Sequence, residues 1–500
     1  MKHLVSISIG PVQGFIAAGR RPGDLFAGSQ LLQDLAHQAA KELENQAELI
    51  FPHSSEAAAS NKLLAVTESD PRELTESLRQ HLHERLLGEW KDLLKRVAPG
   101  INQLNLNLDL AKEQLAHFLE FYAAWYPVSD DLSDYGDARQ KVEALLASRK
   151  LLRDFAPLDQ HDAGVFKSSL DPSWAAILKH PEQPEKDQEV KVRPNNGEAP
   201  VPLRIKENEH LDAISLLKRI YGAVTLGAVP TTRIFARRSI EPNAPLNTDF
   251  DEKVPEEQPY FAVLVADGDK MGQLIANKKT PSEHRELSRQ LANFARKAKD
   301  VVENGYSGMA VYAGGDDLLA FLPVTNAVSC AREIYDLFHD EVGNNLSAGI
   351  AVAHYRQPLS ITLEAARAAE RKAKEKRNSL AVTLQTRSGS PTTITGHWDT
   401  YADWDAMLAA YKNREIPRGL AYELQELALE WKDSSVLTRR ALRKEVERIL
   451  RQKGVANAWL SGQLDKIEED TGFLAELSKR MLLARFFTSI KEEQRAGSHN

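Results

Sequence analysis

The chain has 500 residues, 42% of them hydrophobic, a formal net charge of −7 and a single cysteine, Cys330. That length holds roughly three or four ordinary domains, and the negative balance excludes nucleic-acid binding through bulk positive charge. One cysteine excludes an intrachain disulfide and a cysteine zinc site, which suits a cytoplasmic protein, and neither a signal peptide nor a membrane-spanning apolar run is present.

His3–Ile9 alternates like a strand and is broken by Gly10 and Pro11. From Asp24 the apolar spacing turns helical through Leu25, Leu31, Leu32 and Leu35. Short strands are expected at Ala47–Phe51 and Lys62–Val66, a long amphipathic helix at Pro71–Val97, a second helix at Leu110–Ala124 and a strand at Trp125–Ser129. Strand–helix–strand–strand–helix–strand is a ferredoxin-like palm pattern. No paired acids fall at its hairpin, so this first palm, residues 1–135, reads as catalytically degenerate.

Residues 136–255 read as a mainly helical domain, with helices at Asp137–Phe155, Ser169–Lys179 and Glu209–Gly227. Between the last two, Pro181–Pro202 is rich in proline and charge and reads as a loop or disordered insert. Glu241–Gln258 repeats that composition and reads as a linker.

A second palm is expected over residues 256–395. Its first strand, in YFAVLVADGDKMG (Tyr260–Gly272), ends in Asp267 and Asp269. Helix Pro281–Glu303 follows, then MAVYAGGDDLLAFLP (Met309–Pro323), two strands joined by a tight turn at Gly314-Gly315-Asp316-Asp317. Helix Asn326–Val342 carries one apolar stripe through Val328, Ala331, Ile334, Leu337 and Phe338. Strand Leu346–Ala353, helix Ser360–Lys376 with Ser360 as its cap, and strand Ser379–Leu384 complete the unit. Residues 396–500 read as a C-terminal helical domain, with heptad-like stretches at Leu420–Trp431 and Leu437–Leu450, suited to packing on a neighbour or partner.

Both acidic motifs follow buried apolar runs. If those strands are neighbours, Asp267, Asp316 and Asp317 meet at one sheet edge, where they repel unless a cation lies between them. Hard oxygen ligands suit Mg2+ or Mn2+, and the flanking glycines admit a triphosphate to the backbone. A calcium-binding EF-hand is excluded, because the twelfth position is Lys278 instead of glutamate. The local reading is a two-metal nucleotidyl-transfer site, with Asp267, Asp317 and the Gly268 carbonyl as metal ligands and Asp316 sharing the site. Asp269 is expected to serve the following turn.

DGDKMG and GGDD resemble the palm of the large polymerase/cyclase subunit of type III CRISPR effector complexes, similar in turn to GGDEF-type and class III nucleotide cyclases. Further blocks are similar to its Cmr-type (III-B) version: ISIGPVQGFIAAGRRPGDLFAGSQLL, then Ile50–Pro52, Asn61–Ala65, Arg149–Phe155, Lys167–Asp171 and Leu216–Gly222. The resemblance implies an α+β fold with two nucleotide cyclase-like palms and two mainly helical domains. It implies synthesis of cyclic oligoadenylate from ATP, switched on by target RNA paired to guide RNA, within a complex of other Cmr-type subunits and away from any membrane. It also implies nucleotide contacts at Gly314, Gly315, Lys270 and Lys374, with Ser347 and Gly349 lining a base pocket. In the first palm, Arg20, Arg21 and Ser29 are the expected contacts to a second ATP.

Two family features have no counterpart. The dipeptides His161-Asp162 and His339-Asp340 lack the partners of an HD nuclease site, so such cleavage is not expected, and the four-cysteine zinc ribbon is absent. Three alternatives stay open: transfer of AMP to another small molecule such as S-adenosylmethionine, a silent scaffold, and a diguanylate cyclase.

Overall fold

A computed structural model describes residues 1–57, 60–97, 105–152, 166–178, 188–194, 197, 199–206, 209–246, 259–387, 390–401, 403–431, 436–469 and 472–496. Strands β1 (Lys2–Gly10), β2 (Glu48–Phe51), β3 (Lys62–Thr67) and β4 (Glu120–Val128) form an antiparallel sheet in the order β2-β3-β1-β4. This is the ferredoxin-like arrangement the element order predicts. Strand β1 is sandwiched. Val5, Ile7 and Ile9 face helices Pro22–Glu44 and Pro71–Arg96, while Leu4 faces helix Tyr135–Leu152, as the period-two alternation of a strand requires. Helix Pro71–Arg96 starts where Pro71 follows Asp70, whose carboxylate accepts from the Arg72 and Glu73 amides. Its stripe of Leu74, Leu78, Leu82, Leu86, Trp90 and Leu93 is buried.

The expected helix Leu110–Ala124 stops early: it spans Leu108–Phe118, and β4 begins at Glu120. The segment Phe121–Tyr126 is apolar at every position, so periodicity alone cannot separate helix from strand. Full-length pairing with β1, from Glu120 opposite Gly10 to Val128 opposite Lys2, decides it. Ser169–Leu178 is not helical either. It runs through turns in which Asp171 accepts from Ser173, and bridges join Lys167 to Ala175 and Leu106 to Leu178. The insert Pro181–Pro202 contains structure that its composition conceals. Strands β5 (Gln188–Val192) and β6 (Val201–Ile205) pair antiparallel, burying Val190, Val192, Leu203 and Ile205. Most of the linker Glu241–Gln258 lies outside the described residues.

Helix Ala213–Leu226 is clamped to the first palm by buried charge. Arg219 donates to Asp24 at 3.2 Å and to Glu209 at 2.6 Å, and Lys218 Nζ donates to the carbonyls of Phe15 and Ala18, each at 2.6 Å. Desolvation pulls Lys218 down to about 8.

The second sheet has six strands: β7 (Tyr260–Gly268), β8 (Met309–Gly314), β9 (Asp317–Pro323), β10 (Leu346–His354), β11 (Ser379–Gln385) and β12 (Thr392–His397). Their order is β12-β11-β10-β7-β9-β8. Strands β7 to β10 repeat the ferredoxin-like order. Strand β11 joins parallel to β10, and β12, which the sequence reading did not include, pairs antiparallel with β11. Helix Pro281–Asp300 opens with a Thr280/Glu283 capping box and ends in a π turn over Val301–Gly305, short of the expected Glu303. Pro358, not Ser360, occupies the N-cap of helix Leu359–Lys376, because Pro358 ends the loop and Ser360 already lies in the first helical turn.

One face of this sheet, with Phe261, Val263, Met309, Val311 and Phe321, belongs to the same hydrophobic core as the first palm. The other face, with Ala262, Leu264, Leu318, Ala320 and Ile350, packs on helices Pro281–Asp300 and Ala327–Val342. That core runs on into the C-terminal helices, of which Phe473–Ala496 packs on Leu420–Glu430 and Trp404–Lys412. No helix among the described residues is long and apolar enough to cross a membrane.

Candidate active site

Strand β7 delivers Asp267 to its C-terminal end, and β9 begins with Asp317. The ladder pairs these two residues directly. Gly314 pairs with Asp317 across the β8–β9 hairpin, leaving Gly315 and Asp316 as a two-residue turn. Gly315 has φ +69° at the first central position, where only glycine is comfortable. The turn is tied to β7 by the Gly268 amide, which donates to the Asp316 carbonyl at 3.2 Å. Gly268 is required by contact: an added Cβ would lie 2.8 Å from Met271 Cγ and 3.0 Å from Asp316 Cβ.

The three carboxylates converge. One oxygen from each of Asp267, Asp316 and Asp317, all half-buried, lies within 4.8 Å of the others. Burial, with Asp317 alongside, pushes Asp316 up to about 7. Burial likewise raises Asp317 to about 6. Carboxyls so raised hold protons until a cation replaces them. Three hard oxygen donors on rigid backbone fit magnesium or manganese.

Lys374 reaches this cluster from the last turn of helix Leu359–Lys376. Its ammonium pairs with the Asp267 carboxylate and donates to the Gly268 carbonyl at 3.0 Å. Desolvation, with Arg377 nearby, pulls it down to about 8. The Gly268 carbonyl, expected to face a metal, is thus held by Lys374.

Asp269 takes the turn role. It is buried, accepts from Ser347 Oγ at 2.9 and 3.0 Å and from the Asn378 amide at 2.7 Å, and lies 3.8 Å from Arg377. Ser347 is therefore an anchor for the β7 turn, its side chain fully buried. Gly349 is a packing position as well: a Cβ there would lie 2.1 Å from the Glu370 amide nitrogen. Lys270 is exposed at φ +53° and opens the short helix Met271–Ala276.

In the first palm, Ser29 is buried and accepts from Gln33 Nε2 at 2.9 Å, Arg20 donates to the Ser169 carbonyl at 3.2 Å, and Arg21 is buried beside Arg219 and Asp24. Neither arginine is among the charges that shift Asp316 or Asp317.

Tyr312 was not anticipated. Its hydroxyl donates to the Gly314 carbonyl at 3.3 Å, and its ring lies where a side chain on Gly314 would go. An aromatic residue two before the first turn glycine was the available signal. Asn344, whose amide donates to the Asp269 carbonyl at 2.7 Å, gave no signal in its Gly-Asn-Asn loop.

The family described as Cas10/Cmr2, second palm domain, matches residues 260–381, and the family described as CRISPR-associated protein Cmr2, N-terminal, matches residues 4–123. The CRISPR system Cmr subunit Cmr2 of Pyrococcus furiosus is 33% identical over 200 residues, a match that takes in 33% of this chain and 22% of that protein. A chain of the type III-B Cmr-beta complex in its apo state superposes with a TM-score of 0.62 at 12% identity, covering 89% of this chain and 77% of that one. A chain of a Csm1-Csm4 cassette in complex with AMPPNP superposes with a TM-score of 0.52 at 13% identity, covering 97% and 69%. The structural likenesses speak for the fold. The two matched family domains lie in order on the two ferredoxin-like sheets, so the chain carries a region similar to the Cmr2 N-terminal domain followed by one similar to the second palm domain of Cas10/Cmr2.

Proposed function

We propose that the chain is the nucleotidyl-transferring subunit of a type III CRISPR complex and makes cyclic oligoadenylate from ATP at the β7/β8–β9 edge. The observation that carries this reading is the meeting of Asp267, Asp316 and Asp317 at one point of the sheet. Asp267, Asp316 and Asp317 would hold divalent cations, which neutralise the triphosphate and stabilise attacking and leaving oxygens of in-line phosphoryl transfer. Gly314 and Gly315 let the phosphates approach the hairpin backbone. Lys374, already on the rim, supplies positive charge to phosphate oxygens in exchange for its contact with Asp267. Asp269, Ser347 and Asn378 fix the β7 turn that carries Asp267. The other Cmr-type subunits, guide RNA and target RNA are the partners this reading requires. A chain of the Cmr-beta complex bound to cognate target RNA has the same fold, with a TM-score of 0.61.

The test is to incubate the assembled complex with labelled ATP and manganese, with and without target RNA and S-adenosylmethionine, and to weigh the products. Ring oligoadenylates that appear only with target RNA are expected. A product heavier than S-adenosylmethionine by one adenylyl group would replace the product assignment, and GTP consumption in place of ATP would point to a diguanylate cyclase. If Asp316→Ala with Asp317→Ala leaves nucleotide turnover unchanged, the enzymatic reading fails and the scaffold role remains.

A further inference from the structure

Strand β12 and the start of helix Phe473–Ala496 line a half-open cavity of ≈ 450 Å³ that the proposed chemistry does not use. That volume lies in the range of small-molecule sites. Its walls carry Lys376, Lys466 and Arg480 against Asp399, Asp403 and Glu476. Two of the acids are engaged: Glu476 pairs with Lys479 at 2.9 Å, and Asp403 accepts from Gln463 Nε2 at 3.2 Å.

The cations are not paired in this way. Lys376 Nζ donates to the Thr395 carbonyl at 3.4 Å and Lys466 Nζ to Gln463 Oε1 at 3.2 Å. Arg480 is only 7% exposed, yet it lines the cavity. It donates from Nη1 to the Thr400 carbonyl at 3.5 Å, and its guanidinium lies 5.7 Å from the centre of the Phe473 ring. Among the described residues none of the three forms an ion pair with a carboxylate. Burial holds the Arg480 guanidinium below its usual range, and Tyr401, Asp403 and Glu476 offset this only in part from beyond ion-pair distance, so an anion entering the cavity meets a desolvated guanidinium not bonded to a carboxylate. The first turn of helix Phe473–Ala496 also lines the cavity, through Phe473 and Glu476, so the positive end of its dipole adds to the field there.

We propose that this cavity binds a phosphate-bearing small molecule of nucleoside monophosphate size. Its phosphate is held between Arg480, Lys466 and Lys376. Arg480 and Lys466, which also lies over the Phe473 ring at 5.8 Å, present a fork and a point charge suited to phosphate oxygens.

The experiment is calorimetric titration of the full chain in metal-free buffer with AMP, with inorganic phosphate and with a single-stranded RNA oligomer. AMP is expected to bind saturably. Lys376→Ala with Lys466→Ala, both exposed positions, is expected to weaken it by about tenfold or more without changing the melting temperature. Arg480→Lys is expected to weaken it while keeping the fold. Asp316→Ala with Asp317→Ala should leave the affinity unchanged, which separates this cavity from the carboxylate site. Absence of saturable AMP binding overturns the proposal. So does affinity untouched by the lysine changes, loss of binding in the aspartate variant, or binding of the RNA oligomer alone.

Discussion

Replacing Gly349 by alanine tests whether the seat of helix Leu359–Lys376 sets the position of Lys374. Gly349 sits in β10 directly under that helix, and its added Cβ would lie 2.1 Å from the Glu370 amide nitrogen, 2.5 Å from the Ala366 carbonyl oxygen and 2.7 Å from the Ala369 carbonyl carbon. All three are backbone atoms, so no side chain can rotate away. Ordinary contact starts near 3.4 Å, so the helix must back off by about 1.3 Å, the difference between 3.4 and 2.1 Å. Overpacking of this kind costs typically about 1–3 kcal/mol, and the rigid backbone on both sides puts Gly349→Ala at the upper end. The same shift carries Lys374, one turn further on, away from Asp267 and Gly268. Misplacement of a positioning group by about 1 Å can cost on the order of 100-fold in rate. The assay is ATP turnover by the assembled, target-bound complex, alongside a thermal melt. Gly272→Ala is the control, because nothing lies within 4 Å of its added Cβ. If Gly349→Ala matches that control in both turnover and melting temperature, the helix does not position Lys374 and the argument fails.

Removal of the Lys374 ammonium by Lys374→Met is expected to lower kcat/KM for ATP by about tenfold or more, and steady-state kinetics over an ATP series would show it; unchanged kinetics would leave the lysine a structural pin. Metal-free protein should lose stability as pH rises. Asp316 and Asp317 titrate near 7 and 6 in the fold against about 3.8 when unfolded, so the folded state binds the extra protons and that contribution is lost through pH 4 to 7. Adding magnesium should stabilise more at pH 8 than at pH 5, and a pH-independent magnesium shift in melting temperature would contradict this. Asp24→Ala removes the partner of a buried arginine and two backbone acceptor bonds to Arg20 and Arg21. It should cost about 3–5 kcal/mol, read by chemical denaturation, and a loss below about 1 kcal/mol would mean that Glu209 alone satisfies Arg219.

The sequence carried the site further than it carried some of its surroundings. Asp267, Asp316 and Asp317 were legible because each ends or begins an apolar run, and a sheet that aligns such runs must bring their ends together. The contacts of Ser347 and Gly349 were not legible because strand position alone does not say which neighbour a side chain meets. The cross-strand partner of Ser347 is Asp267, yet its hydroxyl donates to Asp269. The first half of strand β4, expected only from Trp125, was hidden by the absence of polar alternation in Phe121–Tyr126, and the β5–β6 hairpin by surrounding proline and charge. In both places tertiary pairing, which a local window does not contain, selected the conformation.

The apolar wall formed by Phe261, Val263, Met309, Val311 and Phe321 has a consequence for any attempt to dissect the protein. A fragment beginning near Tyr260 would keep every acidic ligand and still expose that wall to water, inviting self-association. The sister sheet, which lacks paired acids at the matching hairpin, serves as a permanent lid on the greasy side of the working one. Exchanging either half between relatives therefore requires the contact surfaces of both to be carried across together.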